Sequence, residues 1–301
     1  MKKYHLLLPT LFGLLALMLL AVPNSSAQDK PDSVRAMEAL NTGIEAGQAG
    51  NMDEAVIAYQ TAISLNPDLV DAYMNLGAIF FQQQKYDQAL QQFRTASEKD
   101  PDNADAFANV GRVDYTLRRF PEAIEAFNKA IELNPDDAAL YRDLGKAYYQ
   151  NRDQANAVET LEKCHEMGGG DYLTYLMVGR AYDKLGQDTK AIQALKQSNE
   201  MKPNYSAHFA LGQIYMGQEK YTQAGQSFQK ALTVNSKKFR AAYNYASAME
   251  FADPDNYDQN IANWEAFVRM AKNNPKAKTE VSQAEAHLKE LREAKEHAEL
   301  N

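Results

Sequence analysis

Residues 70–103 read VDAYMNLGAIFFQQQKYDQALQQFRTASEKDPDN, and residues 104–137 read ADAFANVGRVDYTLRRFPEAIEAFNKAIELNPDD. Laid one above the other without a gap, they place Gly77 over Gly111, Ala89 over Ala123, Phe93 over Phe127, Ala96 over Ala130 and Pro101 over Pro135. The register runs outward from there. Gly43, Gly77, Gly111, Gly145, Gly179 and Gly212 are 34 residues apart, except for a last step of 33. Ala55, Ala89, Ala123, Ala157, Ala191 and Ala224 keep the same steps. A third column is always large and apolar: Tyr59, Phe93, Phe127, Leu161, Leu195 and Phe228. A fourth is always small: Ala62, Ala96, Ala130, Cys164, Ser198 and Ala231. Self-similarity at one period marks an array of like supersecondary units rather than independent globular domains.

Each unit reads as helix, short turn, helix. Tyr73, Leu76, Gly77 and Phe80 recur at three- and four-residue steps and share one helical face. Lys85-Tyr86-Asp87 is the expected turn. Ala89, Phe93 and Ala96 repeat the spacing on a second helix, which Asp100-Pro101 stops. Pro121 opens the second helix of the next unit, where its missing N–H costs nothing. Gly77 and Ala89 are expected at facing sites where the two helices approach closely, with Phe93 filling the space beside them. A hairpin of this kind leaves apolar surface that its neighbours cover by stacking.

The units resemble tetratricopeptide repeats. That family's pattern is met by Tyr73, Leu76-Gly77, Phe80, Ala89, Phe93, Ala96 and Pro101, and again by Phe107, Val110-Gly111, Ala123, Phe127, Ala130 and Pro135. The third unit departs from it with Asp114 where the family prefers Tyr. The fourth departs with Met167-Gly168-Gly169-Gly170 in place of the usual Asn-Pro ending. The resemblance implies an all-α fold, a right-handed superhelical solenoid of stacked helix-turn-helix hairpins. Unit boundaries fall at 36–69, 70–103, 104–137, 138–171, 172–204 and 205–238, with a degenerate seventh unit at 239–275. In that last unit Ala246 replaces Gly, and Asn260, Trp264 and Phe267 keep the second-helix spacing. Residues 276–301 carry Val281, Ala284, Leu288 and Leu291 as one stripe among Glu and Lys, which suits a C-terminal capping helix or, alternatively, a dimerisation face.

The amino-terminal end has a different character. Lys2 and Lys3 precede an apolar run from Leu6 to Ala21, and Ser25 and Ala27 offer small residues for cleavage after Ala27. This pattern predicts a signal peptide over residues 1–27 and a leader over 28–35, the alternative being an uncleaved anchor. The run is shorter than the roughly 20 residues of a spanning helix. Export would place the chain in the periplasm of a Gram-negative source, or outside the cell. Without residues 1–27 the chain holds 30 basic and 40 acidic side chains, a formal charge of −10. Such a balance argues against nucleic acid as a partner.

Chemistry-bearing motifs are missing. The sequence has no Walker loop, no G-x-S-x-G, no H-E-x-x-H and no C-x-x-C. No enzyme, metal or cofactor is predicted. Cys164, in the small column beside His165, reads as a buried structural thiol, with a reactive thiol as the alternative. The 168–170 glycines follow a helix C-terminus, whose dipole disfavours an anion, so they read as helix termination with a flexible joint.

In the family the first helix of each unit lines the concave face. In the third to fifth units the residues implied there are Asp105, Ala108, Arg112, Tyr115 and Thr116, then Ala139, Arg142, Lys146, Tyr149 and Gln150, then Leu173, Leu176, Arg180, Asp183 and Lys184. Five of these 15 are basic. Arg112, Lys146 and Arg180 form one ladder, and Phe81, Tyr115 and Tyr149 another. Asn75 and Asn109 are placed to hold a peptide backbone. Together these residues describe a basic, aromatic-edged groove suited to an extended acidic segment of a partner protein. The expected function is a non-enzymatic interaction scaffold of the cell envelope. The alternative is an envelope carbohydrate-binding module using the same groove. The Lys and Arg of a C-terminal carboxylate clamp are absent from the required units, so that mode is not expected.

Overall fold

A computed structural model describes residues 30–300. The predicted signal segment, residues 1–27, lies outside them. Among the described residues there are 15 α-helices and no strand. In order they are α1 (Asp32–Gln48), α2 (Met52–Leu65), α3 (Val70–Gln82), α4 (Tyr86–Lys99), α5 (Ala104–Thr116), α6 (Phe120–Leu133), α7 (Ala138–Gln150) and α8 (Gln154–Glu166). There follow α9 (Tyr172–Lys184), α10 (Asp188–Met201), α11 (Tyr205–Gly217), α12 (Tyr221–Val234), α13 (Phe239–Ala252), α14 (Tyr257–Ala271) and α15 (Lys278–Glu299). The fold is all-helical, a series of stacked helical hairpins. The chain divides into two compact units between Leu76 and Gly77, inside α3. In the first, α1 packs on α2. In the second, α5 pairs with α6, α7 with α8, α9 with α10, α11 with α12 and α13 with α14, while successive pairs pack on one another.

The glycine column has a steric cause. Gly77 faces the ring of Phe93: a Cβ at Gly77 would lie 2.8 Å from Phe93 Cε1. The same collision recurs at 2.8 Å between Gly111 and Phe127, and at 2.5 Å between Gly212 and Phe228. Where the large residue is Leu161 or Leu195, the distance from Gly145 or Gly179 is 2.6 Å. Glycine therefore seats the large side chain of its own hairpin's second helix. The alanine column is fully buried, with Ala89, Ala123, Ala157 and Ala191 all at 0% exposure, and in the fifth repeat the Ala191 carbonyl would lie 3.2 Å from a Cβ on Gly179.

A further column governs the turn inside each hairpin. Gly50, Gln84, Arg118, Arg152, Gly186 and Glu219 all have positive φ, between 57° and 83°. In each case the next residue donates its N–H to a carbonyl five positions back, as in Asn51 to Ala46 (2.8 Å), Arg119 to Asp114 (2.8 Å) and Gln187 to Tyr182 (2.9 Å). This is the Schellman closure, which needs one left-handed residue. Four of these positions are not glycine and carry that strain. Nothing lies within 4 Å of a Cβ built at Gly186. Gly186→Ala is therefore expected to cost about 1 kcal/mol through backbone strain alone, read as a lowered urea midpoint with unchanged circular dichroism.

Between units, polar side chains replace the helix ladder. Asn103 accepts from the Ala106 N–H at 3.0 Å, and Asp137 from the Ala139 N–H at 2.8 Å, capping α5 and α7. At the fourth unit the glycine run does terminate α8, with Gly168 at φ +78°. The flexible joint expected there is corrected by packing. A Cβ at Gly169 would lie 2.6 Å from Ala138 Cβ, and one at Gly170 would lie 2.4 Å from His165 Cδ2. Asp171 and Thr174 then form a capping box on α9.

The α15 stripe packs within the chain. Ala284, Leu288 and Leu291 are buried in one cluster with Ala242, Ala246, Trp264 and Phe267, and Val281 packs against it. Glu250 accepts from Trp264 Nε1 at 2.6 Å and meets His287 Nε2 at 2.9 Å, linking α13, α14 and α15. Arg292 with Glu265 (2.8 Å) and Lys295 with Asp258 (2.7 Å) tie the outer edge.

Candidate functional site

Two of the three ladder positions, Arg112 and Lys146, converge on a residue that the sequence reading passed over. Asp143 on α7 is mostly buried, and three cations gather on its carboxylate. Arg112 Nε on α5 donates to Oδ2 at 3.0 Å, Arg142 Nε stands 3.7 Å from Oδ1, and Lys146 Nζ stands 3.9 Å from Oδ1. Arg112 Nη1 also donates to Asn109 Oδ1 at 3.1 Å, so this guanidinium is held from two sides. The cluster keeps two net positive charges. Asp143 was findable: it occupies the same 34-residue column as Asn75 and Asn109, two positions before the repeat glycine.

Beside the cluster lies a recess of about 310 Å³ lined by Phe81, Arg112, Tyr115, Thr116, Phe127, Asp143 and Lys146. Phe81 and Tyr115 occupy equivalent places one repeat apart. Each rests edge-to-face on the ring five residues on, Phe81 on Tyr86 (5.5 Å) and Tyr115 on Phe120 (5.7 Å). The structure thus brings together four of the predicted residues, Phe81, Arg112, Tyr115 and Lys146, around one apolar floor with a charged rim. Arg142 joins through Asp143, and its Nε is buried without a hydrogen bond. Asn109 serves as an acceptor for Arg112 rather than as a free backbone clamp.

The remaining predicted residues stand apart from the recess. Tyr149, half-buried like Phe81 and Tyr115, does not line this recess and packs against the core of α8 to α13. Arg180 and Lys184 are exposed on α9 and make no ion pair among the described residues. Asn75 is half-buried on α3, in the first compact unit. Of the other first-helix positions, Ala108 (0% exposed) and Leu176 (9%) are core residues, because adjacent first helices approach closely there.

Among the described residues no group of three His, Cys, Asp or Glu side chains is arranged to hold a metal ion. None of their helices is long and apolar enough to cross a membrane. Cys164 is fully buried, and burial pushes its thiol pKa up, away from the reactive thiolate. His165 is held against Thr174 Oγ1 at 3.0 Å and stacks on Tyr175 at 3.8 Å. Burial lowers its pKa, favouring the neutral ring.

Glycine columns, hairpin closures and first-helix recess define a helical-repeat protein, and comparison with known proteins gives the family. The chain belongs to the tetratricopeptide-repeat family: residues 24–233 match the family described as the C-terminal domain of cilia and flagella-associated protein 70. No curated protein matches the sequence. Among solved structures, the C-terminal part of a TPR repeat-containing protein from Cytophaga hutchinsonii aligns with a TM-score of 0.66 at 18% identity, covering 79% of this chain and 97% of that one. MamA aligns at 0.51 with 25% identity, covering 53% and 94%. YrrB, described as a TPR protein with an unusual peptide-binding site, aligns at 0.53 with 20% identity, covering 60% and 93%.

Proposed function

We propose that the chain is an exported, non-enzymatic interaction scaffold of the cell envelope that binds an extended acidic segment of a partner polypeptide on its first-helix face. One observation carries this reading: three cations share a single carboxylate at Asp143, beside an aromatic-floored recess. Arg112 is pre-positioned by Asn109 and Asp143, so a partner carboxylate meets an ordered guanidinium and little side-chain entropy is lost. The recess would take an apolar side chain of the partner, and Arg180 and Lys184 would extend the positive track along α9. The peptide-binding site of YrrB supports use of this fold for such a purpose. Lys2-Lys3, the apolar run and Ala27 support export.

The test is fluorescence anisotropy with labelled 12-residue peptides that are acidic, neutral or basic, run beside a panel of envelope glycans. Acidic peptides are expected to bind tightest, and to weaken as salt rises. The triple variant Arg112→Ala, Lys146→Ala, Arg180→Ala should bind them about tenfold more weakly, a modest factor because these side chains are partly screened by water. Asp143→Asn should bind them several-fold more tightly, because it removes the internal carboxylate that competes for the same cations. Binding that ignores peptide charge, or is unchanged in the triple variant, overturns the proposal. Preferential binding of a glycan overturns it in favour of a carbohydrate-binding module.

A further inference from the structure

The third repeat carries a second recess that shares no lining residue with the first. Asp114 stands in the column that Tyr148, Tyr182 and Tyr215 occupy in later repeats. In those repeats the tyrosine lines a groove between neighbouring second helices, with volumes of about 480, 360 and 440 Å³. Tyr182 shows what the column can do: its phenol donates to Glu162 of the preceding repeat. At Asp114 the ring is missing, and the groove grows to about 740 Å³. Phe107, Val110, Pro121 and Ile124 give it apolar walls.

Asp114 itself is only 1% exposed, yet neither carboxylate oxygen accepts a hydrogen bond. Arg94 Nη2 lies 3.5 Å from one oxygen and Arg119 Nη1 lies 3.7 Å from the other. A buried acceptor without a donor is costly, and burial raises the carboxyl pKa as the sign of that cost. The lining carries the cations Arg94 and Lys129 beside the carboxylates Asp114, Glu122, Glu125 and Glu132, an excess that repels an anionic ligand, while Arg94 and Arg119 already counter the charge of Asp114 that would draw a cationic one. What remains is a neutral donor on a flat apolar body. The equivalent slots of this chain hold that group already.

We propose that this recess is a slot for a tyrosine side chain of a partner polypeptide, whose ring takes the space of the missing one and whose hydroxyl donates to Asp114. The inference is independent of the acidic-segment reading, since the two surfaces have separate residues. N-acetyl-tyrosinamide, N-acetyl-phenylalaninamide and N-acetyl-lysinamide, titrated into the ¹⁵N-labelled full chain, test it by chemical shift. The tyrosine probe is expected to give saturable shifts around Phe107, Asp114 and Ile124, with the phenylalanine and lysine probes at least tenfold weaker. Asp114→Tyr fills the slot from within and should remove those shifts while unfolding at the same temperature as the native chain, or higher. Should that variant not fold, Asp114→Ala serves, and is expected to lose the preference for tyrosine over phenylalanine. The proposal is overturned by an absence of saturable shifts, by equal binding of phenylalanine, by tighter binding of lysine, or by shifts that survive in Asp114→Tyr.

Discussion

Ala123→Arg is expected to destabilise the second compact unit by about 3–5 kcal/mol, the cost of an uncompensated buried charge, and to broaden or abolish its cooperative unfolding. Ala123 has 0% exposure and sits in a cluster with Phe127, Leu144 and Ala147, contributed by α6 and α7. An arginine there must push the two hairpins apart or leave its guanidinium without water. Because stability in a repeat array depends on contacts between neighbours, a break at this contact uncouples the repeats on either side of it. Urea unfolding followed by far-ultraviolet circular dichroism reads the effect. An unaltered midpoint would show that the alanine column does not face the packing, and would sink the register.

Phe228→Ala should cost about as much, roughly 3–5 kcal/mol for removing a buried ring. Phe228 is fully buried, rests against the bare face of Gly212, and meets Phe209 edge-to-face at 5.5 Å. The control is written in the sequence. Leu161 and Leu195 hold the same column against Gly145 and Gly179, so Phe228→Leu should lose only about 1 kcal/mol, as a tolerated apolar exchange does. Equal losses in the two variants would mean that the column's members are not structurally equivalent.

Both expectations rest on columns visible in the sequence, and the legibility of this protein follows that division. The glycine, alanine and large-residue columns were readable because every hairpin must solve the same steric problem, and a solution repeated at 34 residues stands out. The closeness of each glycine contact was not readable. Spacing places Gly77 on a face, but only the packed hairpin shows how closely the Phe93 ring crosses it. The left-handed turn column escaped for a chemical reason. Gln84, Arg118, Arg152 and Glu219 have no residue type in common with Gly50 and Gly186, so composition carries no sign of the φ they share. The glycine run at 168–170 misled in the opposite direction, since its residues suit freedom equally well as close packing.

The functional surface divides in the same way. Arg112, Lys146, Phe81 and Tyr115 could be proposed because a fixed repeat carries each onto the same helical face. Their convergence on Asp143 depends on side chains reaching between α5 and α7, over a sequence separation of 31 residues from Arg112. That Tyr149 does not line the same recess has the same origin, because packing between neighbouring hairpins is not periodic when the residues differ.

The sequence by itself determined the repeat length, the helical hairpin, the family and the departures at Asp114 and at the fourth repeat's ending, because those depend on residue type and spacing along one helix. Tertiary structure alone decided which cations share one carboxylate, which aromatic rings line one recess, and that losing one tyrosine leaves a walled recess with a buried acceptor. These are set by distances between residues of different helices, which no spacing along the chain records.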